Sequence, residues 1–291
     1  MRYSHLLTRL TVLLASVLLM SCAELRGMNV GGYDLTPLAD AGDKLAKSTA
    51  GTSEQEEADI GRHMAGTLLG ASKLSRQQQQ QRYVNRVGRL LTLHSTRPNL
   101  NWHFGVLNDN DVNAFAAPGG YVFITSGLLN MLNSEAQLAG VLSHEIAHVT
   151  HKDYLNAMRS NNLLGAALDV GAFVGNAATE GRMSGTEREF AQRVVNASKQ
   201  VYARGLDKSD EYAADRAALD LMTDAGYDPY AFVEVMQKLE ARSARDSSMA
   251  LLLQTHPSPA SRLAEMSSTL SSLNVPSNAQ TLANRFQQSV R

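Results

Sequence analysis

The stretch Val141–His151 reads V-L-S-H-E-I-A-H-V-T-H, and it constrains this chain more than any other feature. On an α-helix, residues four apart lie one turn above each other on the same face. His144 and His148 can therefore point two imidazoles at one metal ion, with Glu145 beside them to take a proton from an attacking water. With 8 histidines in 291 residues, the H-E-x-x-H spacing should arise by accident only about 0.01 times. The bland alternative is a pair of core histidines bonded to carbonyls. The context speaks against it. Ser134-Glu-Ala-Gln137 has the form of a capping box that starts a helix, and Leu138, Val141, Leu142 and Ile146 follow as an apolar stripe at helical spacing.

A catalytic zinc takes three protein ligands and leaves a fourth position open, so a third ligand is needed. His151 shares the helix face but lies ~10 Å along the axis from His144, too far to reach a metal held between His144 and His148. The metzincin spacing requires Gly where His151 stands and His where Tyr154 stands. A glutamate from a later helix remains. Asp207–Met222, D-K-S-D-E-Y-A-A-D-R-A-A-L-D-L-M, sets Glu211 and Asp215 one turn apart, and Ala213, Ala214, Ala217 and Ala218 permit close helix approach. Glu211 fits as the third ligand, with Asp215 accepting the second ring N–H of a ligand histidine. Taken alone, the pair reads equally well as a solvated acidic face.

A hydrophobic content of 44% and a net charge of −1 describe an ordinary core-forming chain, with nothing basic enough for nucleic acid. The N-terminus departs from that pattern. Arg2 and Arg9 precede a short apolar run, Leu10–Met20, that suits a signal-peptide core and is too short to span a bilayer. It ends at Cys22, the only cysteine, so internal disulfides are excluded. Residues 1–21 read as a lipoprotein signal peptide with Cys22 as the lipidated first mature residue. No aspartate follows it, which favours the periplasmic face of the outer membrane over retention at the inner one. Residues 22–52 read as a tether or arm, 53–266 as the catalytic domain, and 267–291 as a C-terminal tail with a short helix near Thr281–Val290.

Within the domain, Ser53–Leu93 reads as helical, with Gln77–Gln81 as a solvated face. Trp102–Leu107 and Tyr121–Thr125 read as strands, joined through V-N-A-F-A-A-P-G-G (Val112–Gly120) into a small antiparallel sheet. The Gly/Ala-rich segment 161–185 reads as lid-like or as a loosely packed helix. Thr186–Tyr202 and Tyr230–Arg242 read as helices, and Leu253–Arg262, L-Q-T-H-P-S-P-A-S-R, as a proline-fixed loop carrying His256.

The chain resembles the HtpX and CAAX prenyl protease family of gluzincin metallopeptidases, in its soluble periplasmic lipoprotein branch. The resemblance runs from about Ser53 to Met266. It rests on N-A-F-A-A-P-G-G-Y (Asn113–Tyr121), H-E-I-A-H (His144–His148), E-Y-A-A-D (Glu211–Asp215) and T-H-P-S-P-A-S-R (Thr255–Arg262). It implies one Zn2+ ion held by the residues matching His144, His148 and Glu211, with Glu145 as general base. Many relatives carry arginine three residues before the ligand glutamate, where this chain has Lys208.

The resulting expectation is an α+β, mostly helical zincin-type domain with a small antiparallel sheet beside the H-E-x-x-H helix. Its activity would be zinc-dependent endoproteolysis of unfolded or misassembled cell-envelope proteins. Asp215 and Arg262 would support the ligands, while Asn113 and Ala114 would bind substrate at the strand edge. His256 would donate to the oxyanion, sit on the open zinc position, or serve only the fold. The alternative function is an envelope chaperone or assembly factor whose zinc site is latent.

Overall fold

The computed structural model describes residues 27–30, 33–34, 36–37, 52–160, 185–243 and 246–290. The expected signal peptide, Cys22, most of the arm and residues 161–184 lie outside the described residues. The chain divides into two units, Met1–Ser53 and Glu54–Arg291. In the first, β1 (Asn29–Val30) pairs antiparallel with β2 (Tyr33–Asp34). The Asp34 carboxylate accepts from Thr36 Oγ1 at 2.6 Å.

The second unit is mostly helical. Its helices are α1 (Glu54–Ala71), α2 (Gln78–Thr92), α3 (Ser126–Met131), α4 (Glu135–His151), α5 (Asp153–Ser160), α6 (Gly185–Arg204), α7 (Lys208–Asp224), α8 (Tyr230–Ser243), α9 (Ala250–Thr255), α10 (Pro259–Ser272) and α11 (Ala283–Val290). The strands are β3 (His103–Leu107), β4 (Ala114–Ala117) and β5 (Tyr121–Thr125). Among the described residues, no helix is long and apolar enough to cross a membrane.

The expected small sheet lies beside the motif helix, but it is mixed rather than wholly antiparallel. Its order is β3-β5-β4, with β4 antiparallel and β3 parallel to β5. The reason is burial. On β5, Val122 and Ile124 join the main core and Phe123 joins the smaller cluster with Ala65, Leu68 and Leu107 on the other face. A strand apolar on both faces belongs in the middle. Asn108–Asn113 therefore carries the chain past it, and the short alanine-rich β4 becomes an edge.

Helix α4 is the hub. Fifteen of its residues, Glu135 through Val149, are buried. Helix α7 packs along it most extensively, with α8, α2 and β4 against its other sides. The alanines Ala214 and Ala218 are fully buried in that contact. Burying a helix all round needs apolar residues all round, which is why its amphipathic stripe is weak. The N-terminus is capped by Ser134, whose hydroxyl accepts from Gln137 N at 3.2 Å. The reciprocal half of the capping box is displaced by one residue: Gln137 Oε1 accepts from Asn133 N at 2.9 Å.

The helix stops at Lys152, in the left-handed region at φ 61°, whose N–H returns to the carbonyls of His148 and Val149. That turn separates α4 from α5 and brings Asp153 back beneath His148. A second constraint acts at Gly61 on α1. A Cβ there would stand 1.7 Å from the Pro118 carbonyl oxygen, so only glycine lets α1 approach the β4–β5 turn. The expected proline loop is shorter than it reads. His256 to Ser258 join α9 to α10, and Pro259 occupies the first turn of α10, where its missing N–H has no helical partner to lose.

Candidate metal centre

The side chains of His144 and His148 meet on one face of α4, their Nε2 atoms 3.1 Å apart. Glu211, from the first turn of α7, brings Oε2 to 3.6 Å from His144 Nε2 and Oε1 to 3.7 Å from His148 Nε2. His256 reaches the same point from the α9–α10 turn. Together these four residues each offer one atom within 4.8 Å of the others, forming a group that could hold a metal ion.

The donor chemistry fits a zinc-type ion. Two nitrogens bound to one zinc at about 2.0–2.1 Å in tetrahedral geometry stand roughly 3.3 Å apart, close to the spacing found. The other ring nitrogens are already engaged. His144 Nδ1 lies 3.0 Å from Asp215 Oδ1, and His148 Nδ1 lies 2.8 Å from Asp153 Oδ2. Each imidazole is thereby turned so that Nε2 faces the shared point. Glu211 Oε1 is buried and has no hydrogen-bond partner, and the same is true of Glu145 Oε2. Orphaned carboxylate oxygens in a buried site call for a cation or a water.

Support comes from further out. Arg262 on α10 is buried, and its Nε donates to Asp215 Oδ2 at 2.9 Å while Nη2 donates to Oδ1. The forked guanidinium matches the carboxylate with two parallel bonds. Burial is the largest influence on Asp215 and raises its pKa, but Arg262 and His144 outweigh it and hold the carboxyl far below the usual range. Glu211 behaves likewise: His256, His144 and His148 overcome burial and keep it ionised. For His144, burial and Arg262 favour the neutral ring, while Asp215 and Glu211 prevail and raise it to about 9.

The other expected residues fall as follows. Glu145 is 2% exposed and lines a cavity of about 30 Å3 with Ala114, His144, His256 and Arg262. That volume suits one or two waters. His256 Nδ1 lies 2.8 Å from Glu211 Oε2 rather than pointing into open space. Asn113 is 1% exposed; its Oδ1 accepts from Ala114 N at 3.0 Å, and its Nδ2 has no partner. His151 stands apart, its side chain 37% exposed and its nearest carboxylate Asp153 at 3.9 Å.

Three contributors escaped the sequence reading. Asp153 is five residues past His148, a spacing with no helical meaning, and only the left-handed turn at Lys152 makes it a partner. Tyr154 and Tyr202 form an aromatic wall beside the centre. The Tyr154 ring stands 5.9 Å from His148 and 5.3 Å from Tyr202. Burial first, then the charge of Glu145, pushes both hydroxyls well above their ordinary pKa.

Comparison with known proteins agrees with this geometry. The model for peptidase family M48 matches residues 76–270. The β-barrel assembly-enhancing protease of Escherichia coli (strain K12) is 30% identical over 242 residues, covering 78% of this chain and 47% of that protein. The mitochondrial metalloendopeptidase OMA1 of Schizosaccharomyces pombe is 30% identical over 181 residues, 62% of this chain and 50% of that one. A protease HtpX homolog of Campylobacter concisus is 30% identical over 175 residues, 50% of this chain and 59% of that one. The chain thus spans about half the length of the E. coli relative. The family match covers the sheet, the H-E-x-x-H helix and the later glutamate helix together, and the chain belongs to peptidase family M48.

Proposed function

We propose that the protein is a zinc-dependent endopeptidase that cuts unfolded or misassembled proteins of the bacterial cell envelope. The observation that carries this reading is the convergence of His144, His148 and Glu211 beside the unpartnered carboxylate of Glu145. These three residues would hold one zinc ion, which when bound supplies a Lewis acid for the scissile carbonyl and acidifies a water. Glu145 accepts a proton from the attacking water at Oε2 and delivers it to the leaving amine. Arg262 and Asp215 keep His144 oriented, and Asp153 does the same for His148. The unpartnered Asn113 Nδ2 donates to the substrate backbone, laid beside Ala114 at the edge of β4.

Envelope substrates are supported by the name of the E. coli relative, a β-barrel assembly-enhancing protease. A lipid on Cys22, following a signal peptide at 1–21, would tether the protein to the periplasmic face of the outer membrane.

One observation favours a second reading. His256 is bonded to Glu211 and joins the metal-binding group, so at rest it would fill the fourth zinc position and keep the enzyme latent. In that state the protein would act chiefly as an assembly factor that captures substrates. In the active state His256 would swing to the oxyanion.

The test is zinc content together with cleavage of casein, for the wild type, Glu145→Gln and His256→Ala. Peptidase function requires zinc in all three and cleavage lost in Glu145→Gln. Faster cleavage by His256→Ala identifies latency, and slower cleavage identifies the oxyanion role. Zinc bound with no cleavage by wild type or His256→Ala would sink the peptidase reading.

A further inference from the structure

Behind the centre, on the α1 side of the sheet, lies a mostly apolar cavity of about 970 Å3. Leu68, Leu107, Phe115 and Tyr202 are among the side chains that form it. Two glycines of α1, Gly66 and Gly70, face it, and a Cβ on either would meet nothing within 4 Å. Glycine inside a helix lowers stability relative to alanine. At Gly61 the close approach of Pro118 accounts for it, whereas at Gly66 and Gly70 no protein atom does. Both glycines are exposed at the rim of the cavity, so a larger side chain at either would narrow it.

The cavity is tied to the candidate centre through β4. Along a strand, side chains alternate between faces. Ala114 and Ala116 face the core that contains α4, and Phe115 between them faces the cavity. The hydrogen bonds alternate too. Asn113 O accepts from Thr125 N on β5, while Asn113 N donates to the Thr125 hydroxyl, so by the alternation of the ladder the backbone groups of Ala114 and Ala116 point to the free edge. Ala116 O in fact accepts from the Tyr202 hydroxyl at 2.8 Å across that edge. Tyr202 therefore makes the backbone contact that an added strand would make, and its ring lies against Phe115 at the cavity wall.

We propose that this cavity is the specificity pocket of the enzyme and takes bulky apolar side chains of the substrate. The inference rests on the peptidase reading above. A polypeptide that pairs with the β4 edge displaces the Tyr202 hydroxyl from Ala116 O. Its residue opposite Phe115 must then point to the same face as Phe115, into the cavity, while its neighbours on either side point toward the centre. Substrates are thus extended segments with bulky apolar residues at every second position on one face, the pattern of a strand that has failed to pair. The volume lies within the range of pockets that enclose ligands.

The experiment compares two fluorescein-labelled peptides of Ser, Thr and Ala, identical except for a central Phe or Ala. Their affinities are measured by anisotropy on zinc-loaded Glu145→Gln protein, with and without Gly66→Leu. Without it, the Phe peptide should bind about tenfold tighter or more. Gly66→Leu fills the cavity from a helix position that gains propensity, so Tm should hold or rise by ~2–4 °C while the Phe preference collapses toward unity. Equal affinity of the two peptides, or a preference that survives Gly66→Leu in protein of intact Tm and zinc content, overturns the proposal. Cleavage is read separately on protein with Glu145 intact. A Phe preference in binding with no cleavage would sink the peptidase reading and leave the pocket standing.

Discussion

Glu135, the first residue of the motif helix, is 1% exposed, and its carboxylate is surrounded by donors. Tyr227 donates to it at 2.6 Å, Arg285 Nε at 2.6 Å, and Tyr83 closes the set. Burial, the largest influence, raises its pKa, but Arg285, Tyr227 and Tyr83 together hold it below the ordinary glutamate value. Glu135→Gln keeps the shape and removes the charge. Hydrogen bonds to a charged group are worth about 1.5–3 kcal/mol against about 0.5–1.5 for neutral ones, so each buried phenol loses ~1 kcal/mol. The lost attraction to the helix N-terminus adds ~0.5–1 kcal/mol. The Arg285 side chain is 54% exposed, can turn into water, and is counted at zero. The sum is ~2–4 kcal/mol at neutral pH, or ~5–15 °C in Tm. Because the folded pKa is depressed, this stabilisation is present in full above the unfolded value of ~4.3 and fades as pH falls through the folded one. Urea unfolding followed by the single tryptophan, Trp102, which is buried, measures both quantities. A loss under ~0.5 kcal/mol at pH 7, or one that does not shrink below pH 4.3, would refute the reasoning.

Three further outcomes follow from the same geometry. Asp153→Asn removes the charge that fixes the His148 ring and should lower zinc affinity by ~10–100-fold in chelator competition, with little change in Tm. An unchanged affinity would remove Asp153 from the centre. Gly61→Ala forces α1 off the Pro118 carbonyl and should destabilise the fold by ~1–3 kcal/mol, read by thermal unfolding. Tyr202→Phe keeps the ring contacts with Phe115 and Tyr154 but frees Ala116 O, so KM for an unfolded substrate should fall by ~2–10-fold with kcat nearly constant. A raised KM would mean that the hydroxyl binds substrate rather than competing with it.

What the sequence disclosed and what it concealed divide along a physical line. His144 and His148 were legible because both sit on one uninterrupted helix, where spacing is geometry. Glu211 stood out by its small neighbours and by Asp215 one turn on, but only the family resemblance favoured it over a solvated acidic face, since a helix contact between α4 and α7 is a tertiary fact that spacing cannot carry. Asp153 was invisible because it depends on one residue, Lys152, adopting φ 61° without being glycine or asparagine. The sheet showed its two longer strands but not their relation, which follows from which strand is buried on both faces. The glutamine run is solvated as expected at Gln77 to Gln79, but it does more than face water: Gln79 and Gln80 also donate to the carbonyls of Gln288 and Val290 at the end of α11, satisfying a neighbouring helix terminus.

The groups a substrate would need are, for the most part, already bonded within the chain. Ala114 N is taken by Asn113, and Ala116 O by Tyr202. Apart from the bond offered by the unpartnered Asn113 Nδ2, substrate binding at this edge therefore exchanges hydrogen bonds rather than adding them, and an exchange yields little net free energy. The surplus has to come from apolar burial, and the cavity behind Phe115 offers a large, mostly apolar space beside β4. A folded protein hides its apolar side chains and pairs its strands, so it offers neither the burial nor the free backbone. An unpaired strand offers both at once. Under the proposed function, selectivity for unfolded chains would need no recognition sequence: it would follow from a site whose polar contacts nearly break even and whose apolar contact decides.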